Sequence, residues 1–325
     1  MNLNFRTLER VEEMEKNHPR DRFNLVYLIM VVHGIGILMP WNMFINAKAY
    51  FEDHKLNQGN ETTAEVQEYS TNFMSYIGMA AQFPNALMNL VKPLLSVIII
   101  MVLVFILTVI LAMIDTNEWP GLFFWVTLGS AVVLNSACGV YQSSMYGTAA
   151  ILPMKYTNAI IFGNNFSGTF VACINILAIA LAPDIRTSAI YYFVTAIVVL
   201  LIAFDAYFIL PLSKFFRHFR TITKLKEQQM RHQNRNCCSM LSSYWKVFKE
   251  IWVLALSVWF VFFVSLALFP QIQSDVKSLH FPIHEHYWPA VFCFLNFNLF
   301  AMLGNLITEW LRVVSFRMVP HGLHY

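Results

Sequence analysis

The chain has 325 residues, of which 57% are hydrophobic and only 13% are charged, and its formal net charge is +3. Soluble domains usually carry about 25% charged residues, so this composition excludes an ordinary water-soluble protein and indicates an integral membrane protein. The small positive excess is typical of membrane topology signals, and no nucleic-acid polymer is predicted as a partner. Five cysteines in mostly apolar surroundings indicate free thiols rather than a disulfide framework.

Stretches of about 20 apolar residues predict transmembrane helices. Eight such stretches follow one another: 24–45, 71–91, 94–114, 121–148, 156–182, 188–211, 247–270 and 288–308. The segment before the first stretch is rich in charged residues, so we expect the first span to be retained and not cleaved as a signal peptide. The sequence therefore predicts an all-α polytopic membrane protein with about eight transmembrane helices.

The predicted spans divide the chain into five parts. These are a cytosolic N-terminal segment (1–23), a first six-helix bundle (24–211) with an outer loop at 46–70, a basic cytosolic loop (212–246), two further helices (247–308) and a cytosolic tail (309–325). The basic loop is interpreted as a solvated linker in preference to a lipid-binding segment. Cys237 and Cys238 in this loop are interpreted as free thiols in preference to acylation sites.

The distribution of Lys and Arg predicts the orientation in the membrane. With the N-terminus in the cytosol, 18 of the 22 Lys and Arg residues lie on the inner side and four on the outer side. Both termini are therefore predicted to be cytosolic. Asn60-Glu61-Thr62 in the predicted outer loop is a glycosylation acceptor sequence, which agrees with this orientation. We expect a multi-pass protein of the plasma membrane, with the lipid bilayer as its surroundings.

Charged side chains are scarce inside the spans, which argues against an ion pump or an ion channel. Amide, small and aromatic residues instead recur at helical spacing in three spans. The stripes are Leu38, Trp41, Asn42 and Ile45 in span one, Asn135, Cys138, Gln142, Met145 and Ala149 in span four, and Phe294, Asn298, Ala301 and Asn305 in span eight. Each single amide is equally well explained as a hydrogen-bonding contact between helices. Four glycines are expected to permit close helix packing: Gly34, Gly36, Gly163 and Gly168.

As a set, the amides and the Trp41 ring suit a neutral solute that combines hydrogen-bonding edges with a flat ring, such as a nucleoside. Sugars and amino acids also bind amides, so these residues alone leave the substrate open. No pair of acids, Ser–His couple or metal-binding histidine pair falls at membrane depth. Neither an enzyme nor a cofactor is predicted, and His284 and His286 are interpreted as solvated residues of an outer loop rather than metal ligands.

The stretch Pro40-Trp41-Asn42-Met43-Phe44, followed by Ala47-Lys48-Ala49-Tyr50-Phe51, resembles the first-span signature of the equilibrative nucleoside transporters. Further matches follow in chain order: Asn135-Ser136, Gln142, Tyr146-Gly147, Leu152-Pro153, Phe294-Leu295, Phe297-Asn298-Leu299-Phe300 and Leu303-Gly304. The resemblance covers about residues 22–308. It implies a major-facilitator-like two-bundle fold, with a complete first six-helix bundle and a second bundle truncated after two helices. It also implies alternating-access transport of nucleosides of the adenosine and uridine type.

The resemblance further implies a substrate site, carried over residue by residue. Its members are Leu38, Trp41, Asn42, Ile45, Gln142 and Asn298. The chain departs from the family pattern in span eight, where Ala301 and Asn305 replace an Asp and an Arg that are implied to hold the ribose. Loss of one charge-assisted hydrogen bond makes the free energy of binding less favourable by about 1.5 to 3 kcal/mol.

Two functions remain open at this stage. The first is facilitative transport of nucleosides, with nucleobases as related substrates. The second follows from the absence of the family's last three spans, because alternating access needs two opposed bundles. Under this alternative the chain does not transport, and acts as an interaction or regulatory partner in an oligomer with a full-length relative.

Overall fold

The computed structural model describes residues 13–14, 16, 19–56, 64–88, 94–232, 237–277 and 287–310, and all regular structure in these ranges is helical. Eleven α-helices follow one another: α1 Leu25–Asn46, α2 Ala64–Thr71, α3 Phe73–Met88, α4 Leu94–Met113, α5 Pro120–Ala149, α6 Met154–Leu181, α7 Ile185–Ile209, α8 Lys214–His232, α9 Cys237–Leu268, α10 Gln271–Ser274 and α11 Asn296–Trp310. The π-helical turn Tyr50–Leu56 follows α1, and the π-helical turn Pro289–Leu295 precedes α11.

Seven helical segments of the described chain are long and apolar enough to cross a membrane, and they coincide with seven of the eight predicted spans. The remaining predicted span, 71–91, coincides with α3, whose 16 residues include Pro84. At 1.5 Å per residue α3 is about 24 Å long, shorter than the hydrocarbon core of about 30 Å. The prediction of an all-α polytopic membrane protein is confirmed.

Six helices, α1 and α3 to α7, pack together as one bundle, and its most extensive contact joins α1 to α6. The two helices cross at Gly34 and Gly163. A Cβ atom built on Gly34 would lie 2.9 Å from the Gly163 Cα atom, so only glycine permits this approach of the two backbones. Gly36 similarly faces the Tyr141 hydroxyl group. The predicted packing role of the glycines is confirmed.

The start of α1 is tied to the start of α6 by one carboxylate. Asp21 accepts hydrogen bonds from the backbone N–H groups of Val26 and Tyr27 at 3.1 and 3.2 Å, and from the Tyr156 hydroxyl group at 3.2 Å. These bonds satisfy N–H groups that a helix start leaves without partners. We call this side of the bundle the Asp21 end, and the opposite side, where α1 ends, the Lys48 end.

The described part of the predicted outer loop 46–70 is largely helical. Its π-helical turn Tyr50–Leu56 carries buried aromatic residues. Phe51 is fully buried and stacks on Phe44 and Phe73, with ring centroids 5.7 and 5.1 Å apart. The turn is therefore part of the bundle core. The glycosylation site predicted at Asn60 lies outside the described residues.

Two basic side chains cap the C-terminus of α4 at the Lys48 end of the bundle. Lys55 donates a hydrogen bond to the Ile114 carbonyl oxygen at 2.8 Å, and Arg186 donates one to the Met113 carbonyl oxygen. Positive groups at this position satisfy free carbonyl groups and complement the helix dipole.

The predicted cytosolic linker 212–246 contains helix α8 and the start of α9. Phe215, Phe216 and Ile222 of α8 are buried, as in an amphipathic helix that covers the edge of a bundle. The exposed basic residues of its described part are Lys214, Arg217, Arg220, Lys224 and Lys226. Helix α9 differs, since none of its side chains between Trp245 and Leu268 is buried. Helix α11 packs mainly on α6. His284 and His286 lie outside the described residues.

Candidate functional site

Helices α1 and α6 run parallel in a constant register. The Asn175 side chain donates a hydrogen bond from Nδ2 to the Asn46 carbonyl oxygen at 3.0 Å, across a separation of 129 residues. Gly34 and Gly163, which touch nearer the other end, have the same separation. Heights along the bundle can therefore be transferred between α1 and α6, and Gly168 of α6 lies level with Met39 of α1.

Asn298 of α11 lies directly against Gly168. A Cβ atom on Gly168 would come within 3.1 Å of the Asn298 Cβ atom and would overlap the Asn298 amide group. Asn298 is therefore roughly level with Met39, within one helical turn of Leu38 and Trp41. The structure thus brings Asn298 of α11 to the same height as the Leu38–Trp41 stretch of α1, and α6 provides the contact between these levels.

The other predicted site residues lie at different heights. The Tyr141 hydroxyl group is hydrogen-bonded to the His33 Nδ1 atom at 2.7 Å and also faces Gly36, so neighbouring Gln142 lies on the Asp21 side of the Asn298 level. Ile45 lies about 9 Å away in the opposite direction. Leu38, Trp41 and Gln142 are partly exposed, whereas Asn42, Ile45 and Asn298 are buried. The predicted residues are therefore spread along the bundle instead of forming one compact cluster.

The amide groups of these helices use their N–H donors within their own helix. Asn42 donates to the Leu38 carbonyl oxygen at 3.0 Å, Asn46 to the Asn42 carbonyl oxygen at 2.8 Å, and Asn298 to the Phe294 carbonyl oxygen at 2.8 Å. Each bond reaches four residues back along the helix. The amide oxygens remain as acceptors, so the site favours a ligand that supplies hydrogen-bond donors.

Helix α6 carries a further amide stripe that the sequence analysis missed. Asn164, Gly168, Val171 and Asn175 share one helix face, at the spacing i, i+4, i+7, i+11. Gly168 touches α11 and Asn175 touches α1, so this face lies in the groove between α1 and α11. The spacing was visible in the sequence, but only the contacts show which helices the stripe faces.

Asn164 presents an unused acceptor within this groove. Its Nδ2 atom donates to the Tyr146 hydroxyl group at 3.0 Å, and its Oδ1 atom is buried without a partner among the described residues. By the register of α6 it lies level with Ile35, between the heights of Gln142 and Leu38. Buried amide oxygens are rarely left unpaired, so a bound solute is a natural partner.

A cavity of about 870 Å³ lies at the Lys48 end of the bundle, and none of the six predicted site residues lines it. It is lined by the end of α1, the turn Tyr50–Leu56, the end of α2, the end of α6, the start of α7, the segment after α10 and the turn Pro289–Leu295. Within the described chain, no group of three or more His, Cys, Asp or Glu residues could hold a metal ion.

An ionic contact crosses this cavity and joins the first bundle to α10. Lys48 forms an ion pair with Asp275, donates to the Ser274 hydroxyl group at 3.2 Å, and lies 3.7 Å from a Glu52 carboxylate oxygen. Burial raises the pKa of Glu52 to about 8, against the opposing effect of Lys48 and with further raising by Asp53 and Asp275. The sequence analysis missed this site, since Lys48 and Asp275 are 227 residues apart.

Comparisons with known proteins identify the family. The family model described as nucleoside transporter matches residues 128–320, which is more than half of the chain. Equilibrative nucleoside transporter 1 of Rattus norvegicus is 30% identical over 347 residues, covering 90% of this chain and 76% of the relative. Equilibrative nucleoside transporter 2 of Homo sapiens is 27% identical, covering 90% and 75%. Equilibrative nucleotide transporter 1 of Arabidopsis thaliana is 24% identical, covering 91% and 67%.

The family match and the helical bundle agree with each other. A match of this extent, on a chain whose helices could cross a membrane seven times, confirms the resemblance carried by the Pro40-Trp41-Asn42 stretch. It also confirms that the chain is not an enzyme, because the family is one of transporters. The chain belongs to the equilibrative nucleoside transporter family.

Proposed function

We propose that this protein carries nucleosides across the membrane by facilitated, alternating-access transport, with nucleobases as related substrates. The observation that carries the proposal is the family match over residues 128–320. Alternating access implies a major-facilitator-like arrangement, in which α1 and α3 to α7 form the first bundle and α9 and α11 belong to the second. Equilibrative transport needs no resident cofactor.

The proposed central site comprises Leu38, Trp41, Asn42 and Asn298, with Ile45 and Gln142 further along the path toward either end. Trp41 supplies a flat surface for a base, and the amide oxygens accept hydrogen bonds from ribose hydroxyl groups and base N–H groups. The internal use of the amide N–H groups supports this assignment, because it leaves acceptors facing a solute that is rich in donors.

Uptake of labelled adenosine and uridine in oocytes without endogenous transporters tests this function. We expect uptake above background for the wild type. Loss of base stacking in Trp41→Ala should raise the half-saturating concentration by about 5- to 150-fold. Trp259→Ala is the matched control, because Trp259 is exposed on α9 and is not one of the proposed site residues. Background uptake by a wild-type protein that reaches the cell surface would contradict the proposal.

The proposed location is the plasma membrane, with both termini in the cytosol and the Lys48 end outside. Glycosylation tests this orientation, because only an extracellular loop carries the modification. Glycosidase treatment should shift the mobility of the wild type on a gel and leave Asn60→Gln unchanged. Accessibility of an N-terminal epitope tag in intact, unpermeabilised cells would contradict the orientation.

A further inference from the structure

Two residues on the wall of the cavity at the Lys48 end carry buried polar atoms that have no partner among the described residues. Asn46 lines the cavity and is only 4% exposed, and its Oδ1 atom has no partner among the described residues. Two other polar groups of Asn46 have partners. Its Nδ2 atom donates to the Asn42 carbonyl oxygen, and its carbonyl oxygen accepts a hydrogen bond from Asn175. The Tyr50 hydroxyl group, also on the cavity wall, is likewise buried and unpaired within the described ranges.

The volume of about 870 Å³ falls within the range of about 300 to 1,000 Å³ that is typical of small-molecule sites. An unpaired buried acceptor and an unpaired buried hydroxyl group on one wall are the features expected of a site whose ligand completes the hydrogen bonds. Such a ligand carries hydroxyl or N–H groups.

The charges around the cavity indicate that this ligand is neutral. The charged groups on its wall are Lys48, Lys277, Glu52, Asp53 and Asp275. Because the pKa of Glu52 is held at about 8, this carboxyl group is mostly protonated at pH 7, and two lysines then balance two aspartates. Lys48 is moreover paired directly with Asp275. Among the described residues of the wall, the charges therefore largely compensate one another, which favours a neutral ligand.

An oriented aromatic ring completes the site. Trp288 lines the cavity, donates a hydrogen bond from Nε1 to the Val276 carbonyl oxygen at 2.8 Å, and stacks on Phe292 with ring centroids 4.1 Å apart. These contacts hold the plane of the indole ring. A fixed indole on the wall that also includes Asn46 and Tyr50 suits a ligand with a flat heterocycle and hydroxyl groups.

We propose that this cavity is a second nucleoside-binding site, separate from the central site, in which Trp288 stacks on the base and Asn46 Oδ1 accepts a hydrogen bond from the ribose. The proposal rests on the proposed function, because it takes the same substrate class. A nucleoside arriving at the Lys48 end binds here before it reaches Trp41, whose height along α1 is about 8 Å further into the bundle.

Cysteine protection tests the proposal independently of transport. Ser188 lines the cavity, so Ser188→Cys reports its occupancy through the rate of modification by a membrane-impermeant thiosulfonate reagent. Uridine and adenosine are expected to slow this modification, whereas mannitol at the same concentration is not. The protection should persist in Ser188→Cys combined with Trp41→Ala, which weakens the central site.

Loss of the indole ring should weaken protection through this cavity. In Ser188→Cys combined with Trp288→Ala, the half-protecting concentration is expected to rise about ten-fold or more, and Trp288→Phe should restore part of the loss. Trp259→Ala is the matched control, because Trp259 also stacks on the phenylalanine four residues later but lies on exposed α9. Size-exclusion profiles of each purified variant identify any that fail to fold.

Two outcomes would overturn the proposal without touching the proposed function. One is normal uptake by Ser188→Cys with no protection by either nucleoside. The other is protection that Trp41→Ala abolishes, since protection would then report the central site. Failure of the proposed function has a different signature, namely background uptake by a protein that reaches the cell surface.

Discussion

At the scale of single residues, the amide groups of the bundle differ in where their N–H groups bond. Asn42, Asn46 and Asn298 each donate to the carbonyl oxygen four residues back, which keeps their N–H groups satisfied within an apolar bundle. Asn164 instead donates across to Tyr146 on α5. The side-chain oxygens of Asn46 and Asn164 are buried without a partner among the described residues.

Asn164→Ala removes one such acceptor from the groove. We expect the half-saturating concentration for uridine uptake to rise about 2- to 10-fold, the effect of one neutral hydrogen bond. Asn165→Ala is the matched control, because Asn165 is bonded to the Ile161 carbonyl oxygen and points about 100° away. Tyr146→Phe separates ligand binding from the contact between α5 and α6. Equal effects of Asn164→Ala and Asn165→Ala would contradict the assignment.

Glu52 should make stability depend on pH. Its pKa is about 8 in the folded protein against 4.5 ordinarily, so the folded state binds this proton more tightly than the unfolded state. The stabilisation is complete below pH 4.5 and is lost as the pH rises through 8, with a slope of at most about 1.4 kcal/mol per pH unit.

Thermal unfolding of the purified protein between pH 6 and pH 9 measures this effect. The wild type should become less stable up to about pH 8, whereas Glu52→Gln should show a flatter profile. Glu118→Gln serves as the control, because Glu118 is an exposed carboxyl group that is not among the charges acting on Glu52. Parallel profiles for the wild type and Glu52→Gln would contradict the raised pKa of Glu52, because they would show that Glu52 does not titrate between pH 6 and pH 9.

At the scale of helices, the contact of α1 with α6 determines where the other groups lie. Gly34 and Gly163 let the two backbones touch, and the constant register carries that contact along to Asn46 and Asn175. Asn298 reaches the Met39 level only because Gly168 leaves room for it. Small residues therefore position the polar ones, as close packing in membranes requires.

Gly34→Ala should separate α1 from α6. The added methyl group would overlap the Ile160 carbonyl oxygen and come within 2.9 Å of the Gly163 Cα atom, and these backbone atoms cannot turn away. We expect a loss of about 1 to 3 kcal/mol in stability, measured as a lower unfolding temperature in detergent. Gly129→Ala is the control, because nothing lies within 4 Å of its added Cβ atom. An unchanged unfolding temperature for Gly34→Ala would contradict this contact.

At the scale of the whole molecule, several contacts join the first bundle to the later helices. Gly168 lies against Asn298 near mid-height, Lys48 pairs with Asp275 at the Lys48 end, and the Gln271 side chain donates a hydrogen bond to the Ser75 hydroxyl group. Alternating access requires one end of the path to be closed while the other is open. The Lys48–Asp275 pair is one of the contacts that would have to break for the Lys48 end to open.

A cross-link between these positions should therefore stop transport. In Lys48→Cys combined with Asp275→Cys, a short reducible bis-thiosulfonate reagent is expected to reduce uridine uptake to background, and reduction should restore it. Each single cysteine variant, treated alike, should retain its uptake. Full uptake in cells whose protein is shown to be cross-linked by a gel assay would mean that the pair does not have to separate.

The sequence by itself determined the class of protein, most of its spans and its family. Hydropathy is a local property summed along the chain, so seven of eight predicted spans coincide with helices of sufficient length, and the Pro40-Trp41-Asn42 stretch indicated the family correctly. The turn Tyr50–Leu56 was predicted as loop because its buried aromatic contacts are tertiary.

Only the tertiary structure decided which polar groups meet. The Asn46–Asn175 and Lys48–Asp275 contacts join residues 129 and 227 positions apart, and sequence spacing carries no information on such pairs. The Asn164 stripe was readable as a pattern, but its direction depended on the glycine contacts of α6. The cavity at the Lys48 end lies between seven segments of the chain, so no single stretch could have predicted it.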